Sequence, residues 1–564
     1  MKLRLLIPFV LLAGFAAIAR ADLRLLASAT SDSYQSFTYG LSAFCQAAGF
    51  PFALTEINDK ASDLLLVPNL AGVDVRRHLW LFWLVDAQKE QRASNIVSVA
   101  ILPTADNAAA TVQALANTYP LHEEVQQLIR YALPPEQAAG VAVPVLYIAV
   151  RHGTVIVSTS REAALWAADR PLPLPPAGAT AIAGQVRFEI QPGVAATLLA
   201  EDGNRLEGSV PLREISKCLL ADIRELTLVL ETTTDGVTAR LAVTPSPNTR
   251  LARLFLRIHP PATSFWQMCP DQATVAIVSG GASIWRIPDS YGTNQDVQAH
   301  NAETMLGDCL TGDSAMFIGR ASAITGALYY AEIMGITNRA DAWNRVLADP
   351  QAMLPFETSF RFVTNGTRTV QGTPVLDLGR GGFVTSDSGK RKLADMAAFM
   401  VRDGGVSVAA TSNNLVVTFG ATNAIEQILL RLANQPANAV ALPARCRKLL
   451  PDLPDAPCSA VLLQPAGLVR QIAMSLPGLK PEQVAALPQP GDGVAAATTC
   501  DAAGVLHLTL RVSANEVSHL KDGMSKGQDA LQELFMQMAL QQMLQMERKF
   551  DASDPRDQKM QMQR

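Results

Sequence analysis

The sequence predicts an α+β fold: a duplicated unit of mixed or mainly antiparallel sheet with helices packed on one face, plus a C-terminal amphipathic helix. Three observations predict it. Short β-rich runs come in pairs around turn residues, as at 145–150 and 154–158 beside Gly153, and at 225–231 and 237–243 beside Asp235-Gly236. Helix-spaced segments lie between these pairs. Several segments of the first half also recur in the same order in the second.

The recurrences are specific. Val155-Ile156-Val157-Ser158 before a helix matches Val416-Val417-Thr418-Phe419 before a helix. FEIQPGVAATLL (188–199) parallels VLLQPAGLVRQI (461–472), placing Gln191-Pro192 on Gln464-Pro465. Gly236 falls on Gly504, Asp32-Ser33-Tyr34 on Asp289-Ser290-Tyr291, and Cys45 on Cys309. The repeated unit is domain-sized, well beyond the roughly 20–50 residues of a solenoid repeat. The expected layout is a signal peptide at 1–21, α+β units at 22–258 and 265–513, a helical segment at 514–550 and a disordered tail at 551–564. Cys45 and Cys309 are expected at equivalent buried helix positions, unpaired with each other.

Taken in order, 22–30 reads as a strand and 31–47 as a helix capped by Asp32 or Ser33. Residues 63–67, 79–86 and 96–102 read as strands, and 107–118, capped by Asp106, and 121–132 as helices. The hairpin 145–158 and a helix at 161–168 follow. DRPLPLPPAG (169–178) carries four prolines and reads as a stiff extended connector. A strand at 184–190, helices at 192–201 and 211–223 and the hairpin 225–243 complete the unit, with a connector at 245–262.

The second unit runs through strands 273–278 and 282–286 and helices 296–308 and 320–336. A hairpin at 355–377 is expected to turn at Thr364-Asn365-Gly366. A helix opens at Lys390, and a hairpin at 404–419 precedes a helix at 421–433. A proline-rich stretch (443–457), strand 459–464, helix 465–474 and strands 493–499 and 505–512 end the unit. Residues 528–550 form an amphipathic Met/Gln-rich helix, the candidate surface for a protein partner or self-association.

Composition narrows the function. Of 564 residues 17% are charged and 49% hydrophobic, which excludes disordered, collagenous and coiled-coil chains. With a net charge of −4 and no run of five basic residues, nucleic acid is not an expected partner. Lys2 and Arg4, the apolar run 5–19 and Ala19-Arg20-Ala21 make a basic, apolar and small-x-small leader. No second apolar stretch of membrane-spanning length follows. The mature chain is therefore expected to begin at Asp22, to be exported to the periplasm or outside the cell, and to carry no integral membrane segment. In that compartment Cys446 and Cys458, flanking PDLPDAP, are expected to form a disulfide. Seven cysteines leave at least one unpaired, and the connectivity of Cys45, Cys218, Cys269, Cys309 and Cys500 stays open.

Motifs for chemistry are sparse. His300 and Glu303, with Asp296 one turn earlier, could face a divalent metal from one helix side, but no further ligand joins them. Lys390 and Arg391 beside Gly389 could hold an anion, although GxxxxGK[ST] spacing is missing. Ser518-His519-Leu520-Lys521 has Ser-x-x-Lys spacing without its companion motifs. No dinucleotide or nucleophile-elbow motif occurs, and no cofactor is expected. Trp80, Trp83, Trp166, Trp266, Trp285 and Trp343 read as core or interface residues. The sequence thus points to an exported, soluble, non-catalytic protein with a binding or structural role, with a cleft between the two units as its natural ligand site. An exported hydrolase with dispersed catalytic carboxylates is the alternative.

Overall fold

The computed structural model describes residues 23–50, 54–86, 96–105, 108–125, 127–138, 143–151, 153–170, 184–201, 218–261, 265, 273–281, 305–320, 328–353, 360–383, 405–420, 423–434, 444–453, 457–475 and 487–522. Among the described residues twenty strands make one sheet, and every pairing in it is antiparallel. The first ten are β1 (Leu23–Ser31), β2 (Leu79–Asp86), β3 (Ile96–Pro103), β4 (Leu121–Val125), β5 (Leu128–Ala132), β6 (Val145–Arg151), β7 (Thr154–Ser158), β8 (Gln185–Ile190), β9 (Ile223–Thr232) and β10 (Gly236–Pro245). The next ten are β11 (Val275–Ser279), β12 (Leu310–Arg320), β13 (Leu328–Ile336), β14 (Phe360–Val370), β15 (Thr373–Phe383), β16 (Val406–Ala410), β17 (Asn414–Gly420), β18 (Ser459–Leu463), β19 (Val494–Cys500) and β20 (Leu506–Ser513).

In space the first half runs β4-β5-β6-β7-β3-β2-β1-β8-β9-β10. The second runs β14-β15-β16-β17-β13-β12-β11-β18-β19-β20. The two orders are the same strand for strand. β10 then pairs with β20 from Gly236 opposite Ser513 to Val243 opposite Leu506, joining the halves through their equivalent last strands. The expected internal symmetry is therefore present in the strand order, and the hairpins β6–β7 and β9–β10 correspond to β16–β17 and β19–β20.

Helices repeat in the same sequence slots. α1 (Tyr34–Ala47) starts at Ser33, whose hydroxyl accepts the Ser36 amide. α2 (Leu54–Leu65), α3 (Ala109–Thr118), α4 (Arg161–Ala168), α5 (Pro192–Glu201) and α6 (Arg250–Phe255) follow. The second half contributes α7 (Arg339–Ala348), α8 (Ala424–Ala433), α9 (Ala444–Leu449), α10 (Pro465–Ser475) and α11 (514–522). α3 and α7 follow the third strand of their halves, α4 and α8 the seventh, α5 and α10 the eighth, and α6 and α11 the tenth.

In the first half α1, α2, α3 and α5 gather over one face, where Val155 and Val157 of β7 join their cluster. Ile156 points the other way, onto Ala163, Ala164 and Ala167 of α4. The second half repeats this: Leu415, Val417 and Phe419 of β17 pack with Ala342 and Val346 of α7, and Val416 with Ile425 and Ile428 of α8. Strands buried on both faces read as continuous apolar runs. That is why the described end of the helix expected at 320–336 is the strand β13, since periodicity cannot separate a buried strand from a buried helix.

Other expectations are corrected in kind. Residues 121–132 form the hairpin β4–β5, although their Leu, Glu and Gln content favours a helix; pairing of β5 with β6 overrides that propensity. The strand expected at 63–67 is largely the end of α2, whose Ile57, Ala61, Leu64 and Leu65 fall on one helical face. The β14–β15 turn lies at Gln371-Gly372, with φ of 51° and 77°, the left-handed pair that a tight hairpin requires. Asn365-Gly366 instead sits at a bulge in β14. The proline-rich stretch after 443 includes α9. Hairpin pairing also aligns Arg151 and Thr154 with Thr411 and Asn414, one residue away from the alignment of Val155 with Val416 read from sequence. In a strand that slip exchanges the two faces.

The expected disulfide is overturned. Cys446 lies on α9 in a cluster with Phe265, Ala273 and Leu462, and Cys458 joins a different cluster with Ile223, Val243 and Phe255. Both are free thiols, as are Cys45, Cys218, Cys309 and Cys500; Cys269 lies outside the described residues. Nor are Cys45 and Cys309 equivalent: the first is half-buried on α1, the second fully buried in a single turn leading into β12. Burial pushes the Cys446 thiol up to about 11. We expect alkylation of the native, unreduced protein to modify exposed Cys218 quickly and Cys446 only after unfolding. Mass spectrometry in denaturant without reductant should then find Cys446 and Cys458 both alkylated.

Candidate functional site

α11 closes the second half and touches the first. Glu516 is buried, and its carboxylate accepts the Ala466 amide at the start of α10 (2.7 Å) and the Gly491 amide (3.1 Å). Lys521 donates to the Gly49 carbonyl just past α1 and stands over the Phe50 ring at 5.1 Å. The Ser-x-x-Lys spacing of Ser518 and Lys521 therefore serves a helix-end contact between the halves.

Burial raises the Glu516 carboxyl, against the pull of the two amides. A carboxyl higher in the folded than in the unfolded chain binds more protons when folded. Its contribution to stability is thus largest below the ordinary carboxylate range and falls as pH rises through the folded value. In Glu516→Gln that component of the pH dependence should vanish, as urea titrations between about pH 4 and 7 would show.

A crevice of about 460 Å³ lies at the outer end of the second half. Its walls are the β14 bulge, β15, the start of β16 and the start of α8. Arg368 of β14 donates through Nε to Asp377 Oδ2 (2.6 Å) and through a terminal nitrogen to Glu426 Oε1 of α8 (2.5 Å). Ser407 of β16 donates to Asp377 Oδ1 (2.6 Å). Glu426, then Asp377, hold the guanidinium above its ordinary range, although burial opposes them. Asn365, Thr367 and Asn423 complete the polar lining.

None of these residues was singled out by sequence. They come from four elements, and the signals present were read otherwise: Asn365-Gly366 as a turn, Asp377 and Glu426 as ordinary strand and helix residues. The metal candidates Asp296, His300 and Glu303 and the anion candidates Lys390 and Arg391 lie outside the described residues. So does 528–550. Among the described residues no group of three His, Cys, Asp or Glu is placed to hold a metal ion, and no helix is long and apolar enough to cross a membrane.

Compared with known proteins, the chain matches no family model and no curated protein. Two solved crystal forms of a protein named TP0453 align with part of it. Form IV covers 42% of this chain and 82% of that one at 12% identity, with a TM-score of 0.23. Form I covers 40% and 77% at 10% identity, with a TM-score of 0.22. Neither likeness bears on what the chain does.

Proposed function

We propose that the chain is an exported, soluble, non-catalytic protein with a binding or structural role, and that the crevice beside β14–β16 is its ligand site. One observation carries the reading against the hydrolase alternative. Both carboxylates of the crevice, Asp377 and Glu426, are engaged by the single guanidinium of Arg368. Glycoside hydrolysis needs one carboxyl protonated as an acid while its partner acts as base or nucleophile. Here one guanidinium bonds to both, so the place between them that a scissile bond would need is taken by Arg368. The seam between the halves is a strand ladder, so the outer crevice is the better ligand site.

Export rests on the leader. N-terminal sequencing of the protein recovered from its native cells should begin at Asp22, and an intact Met1 on cytoplasmic protein would refute export. Incubation with chromogenic glycosides and esters should release no product. Turnover abolished by Glu426→Gln would establish the hydrolase instead.

A further inference from the structure

We infer that the crevice binds a small neutral polyhydroxylated ligand of the saccharide class. This rests on the binding reading above and deepens it. The argument comes from comparing the two halves position by position. Glu123 on β4 stands opposite Arg130 on β5, which stands opposite Tyr147 on β6. The matching ladder in the second half is Gly366, Asp377 and Ser407. In the first half the space is filled: Glu123 pairs with Arg130 at 2.7 Å, and Arg130 also interacts with Tyr147. In the second half glycine and serine replace the glutamate and the tyrosine, and both line the crevice.

The helix beside the ladder differs in the same sense. α4 is capped by Ser160, which accepts the Ala163 amide. Its counterpart α8 starts at Asn423, whose side chain makes no capping bond and lines the crevice. Arg368 stands two places beyond Gly366 on the same strand and so reaches Asp377 from the diagonal position. Gly379 and Gly405 keep the adjoining walls at backbone level, since a Cβ on either would run into Asn365 or the Leu378 carbonyl.

Charge selects the ligand class. Arg368 is neutralised by two carboxylates, so an incoming anion meets two negative groups. An incoming cation would have to displace the guanidinium from partners it already holds in short bonds. A hydroxyl group both donates and accepts, and can add to the carboxylate, guanidinium, amide and hydroxyl groups of the lining without disturbing them.

The test uses the full mature chain in isothermal titrations with glucose, galactose, N-acetylglucosamine and maltose, and with inorganic phosphate and spermidine as ionic probes. At least one sugar should bind. Ser407→Tyr, which restores the first-half residue, should weaken binding at least about tenfold by filling the space. Asn423→Ser should weaken it too, with the melting temperature unchanged because the asparagine side chain makes no capping bond to lose. Binding by none of the four sugars, or sugar binding indifferent to Ser407→Tyr, overturns the inference. Phosphate or spermidine binding alone, lost in Ser407→Tyr, overturns the ligand class but leaves the binding role standing. Hydrolysis of maltose overturns the non-catalytic reading itself.

Discussion

Thr509→Pro should unfold the protein or cost it more than about 3 kcal/mol, the largest effect expected of any substitution at a position not fully buried. β20 is bonded on both sides, to β10 through Leu506–Ser513 and to β19 through Leu506–Val512. Every amide along it is therefore committed to one neighbour or the other, and proline removes a donor while its ring crowds the ladder. Because β20 carries the seam, the damage should separate the halves as well as weaken one of them. Denaturant unfolding followed by fluorescence should change from one transition to two, or lose its folded baseline. β4 supplies the control. Among the described residues it is an outer strand paired only with β5. Of Glu123 and Glu124, the residue whose amide points away from β5 should accept proline at a small fraction of that cost. Equal losses at β4 and β20 would mean that the seam is not a central pairing.

Phe317→Ala should cost about 3–5 kcal/mol, towards the top of that range, with an unchanged denaturant slope. Phe317 is fully buried on β12 and stands opposite Ala276 on β11 and Ala331 on β13. The two flanking alanines make room for its ring. Removing the ring leaves three alanines abreast, and neither neighbour is large enough to move in. Its counterpart is Phe82, opposite Ser28 and Val99, which is only partly buried beside Trp166. Phe82→Ala should cost less. A reversed ranking would show that the two halves are packed differently from the way their strands correspond.

What the sequence revealed depended on whether a local signal and a long-range contact agreed. Hairpins were legible where turn chemistry sits in the turn, as at Gly153 and Asp235-Gly236, and the repeat was legible because both of those hairpins recur. The signal failed at Asn365-Gly366, where turn-forming residues shape a bulge and Gln371-Gly372 does the turning. It failed again at β13, whose two-sided burial erases alternation, and at β4–β5, where pairing overrides helix-forming residues. The crevice was illegible for another reason. Its chemistry is a triad from three separate elements, Arg368, Asp377 and Glu426, and its space exists because Gly366 and Ser407 are small. Space left by absent side chains has no pattern in a single sequence, and it showed only once each position could be set beside its counterpart.

The β10–β20 seam has a further meaning. Antiparallel pairing of two equivalent edge strands is an isologous contact: each strand offers the other the same surface, related by a half-turn. Two identical subunits meeting about a dyad make that kind of interface. This polypeptide holds within itself what a homodimer holds between two chains, joined through the segment between β10 and β11. Fusion changes the rules for such an assembly. Its association no longer depends on concentration, and a substitution no longer appears twice. One half can keep the filled Glu123–Arg130–Tyr147 ladder while the other trades those residues for a glycine, an aspartate and a serine. A symmetric dimer, bound to make every change in duplicate, could not have kept one half closed while opening the other.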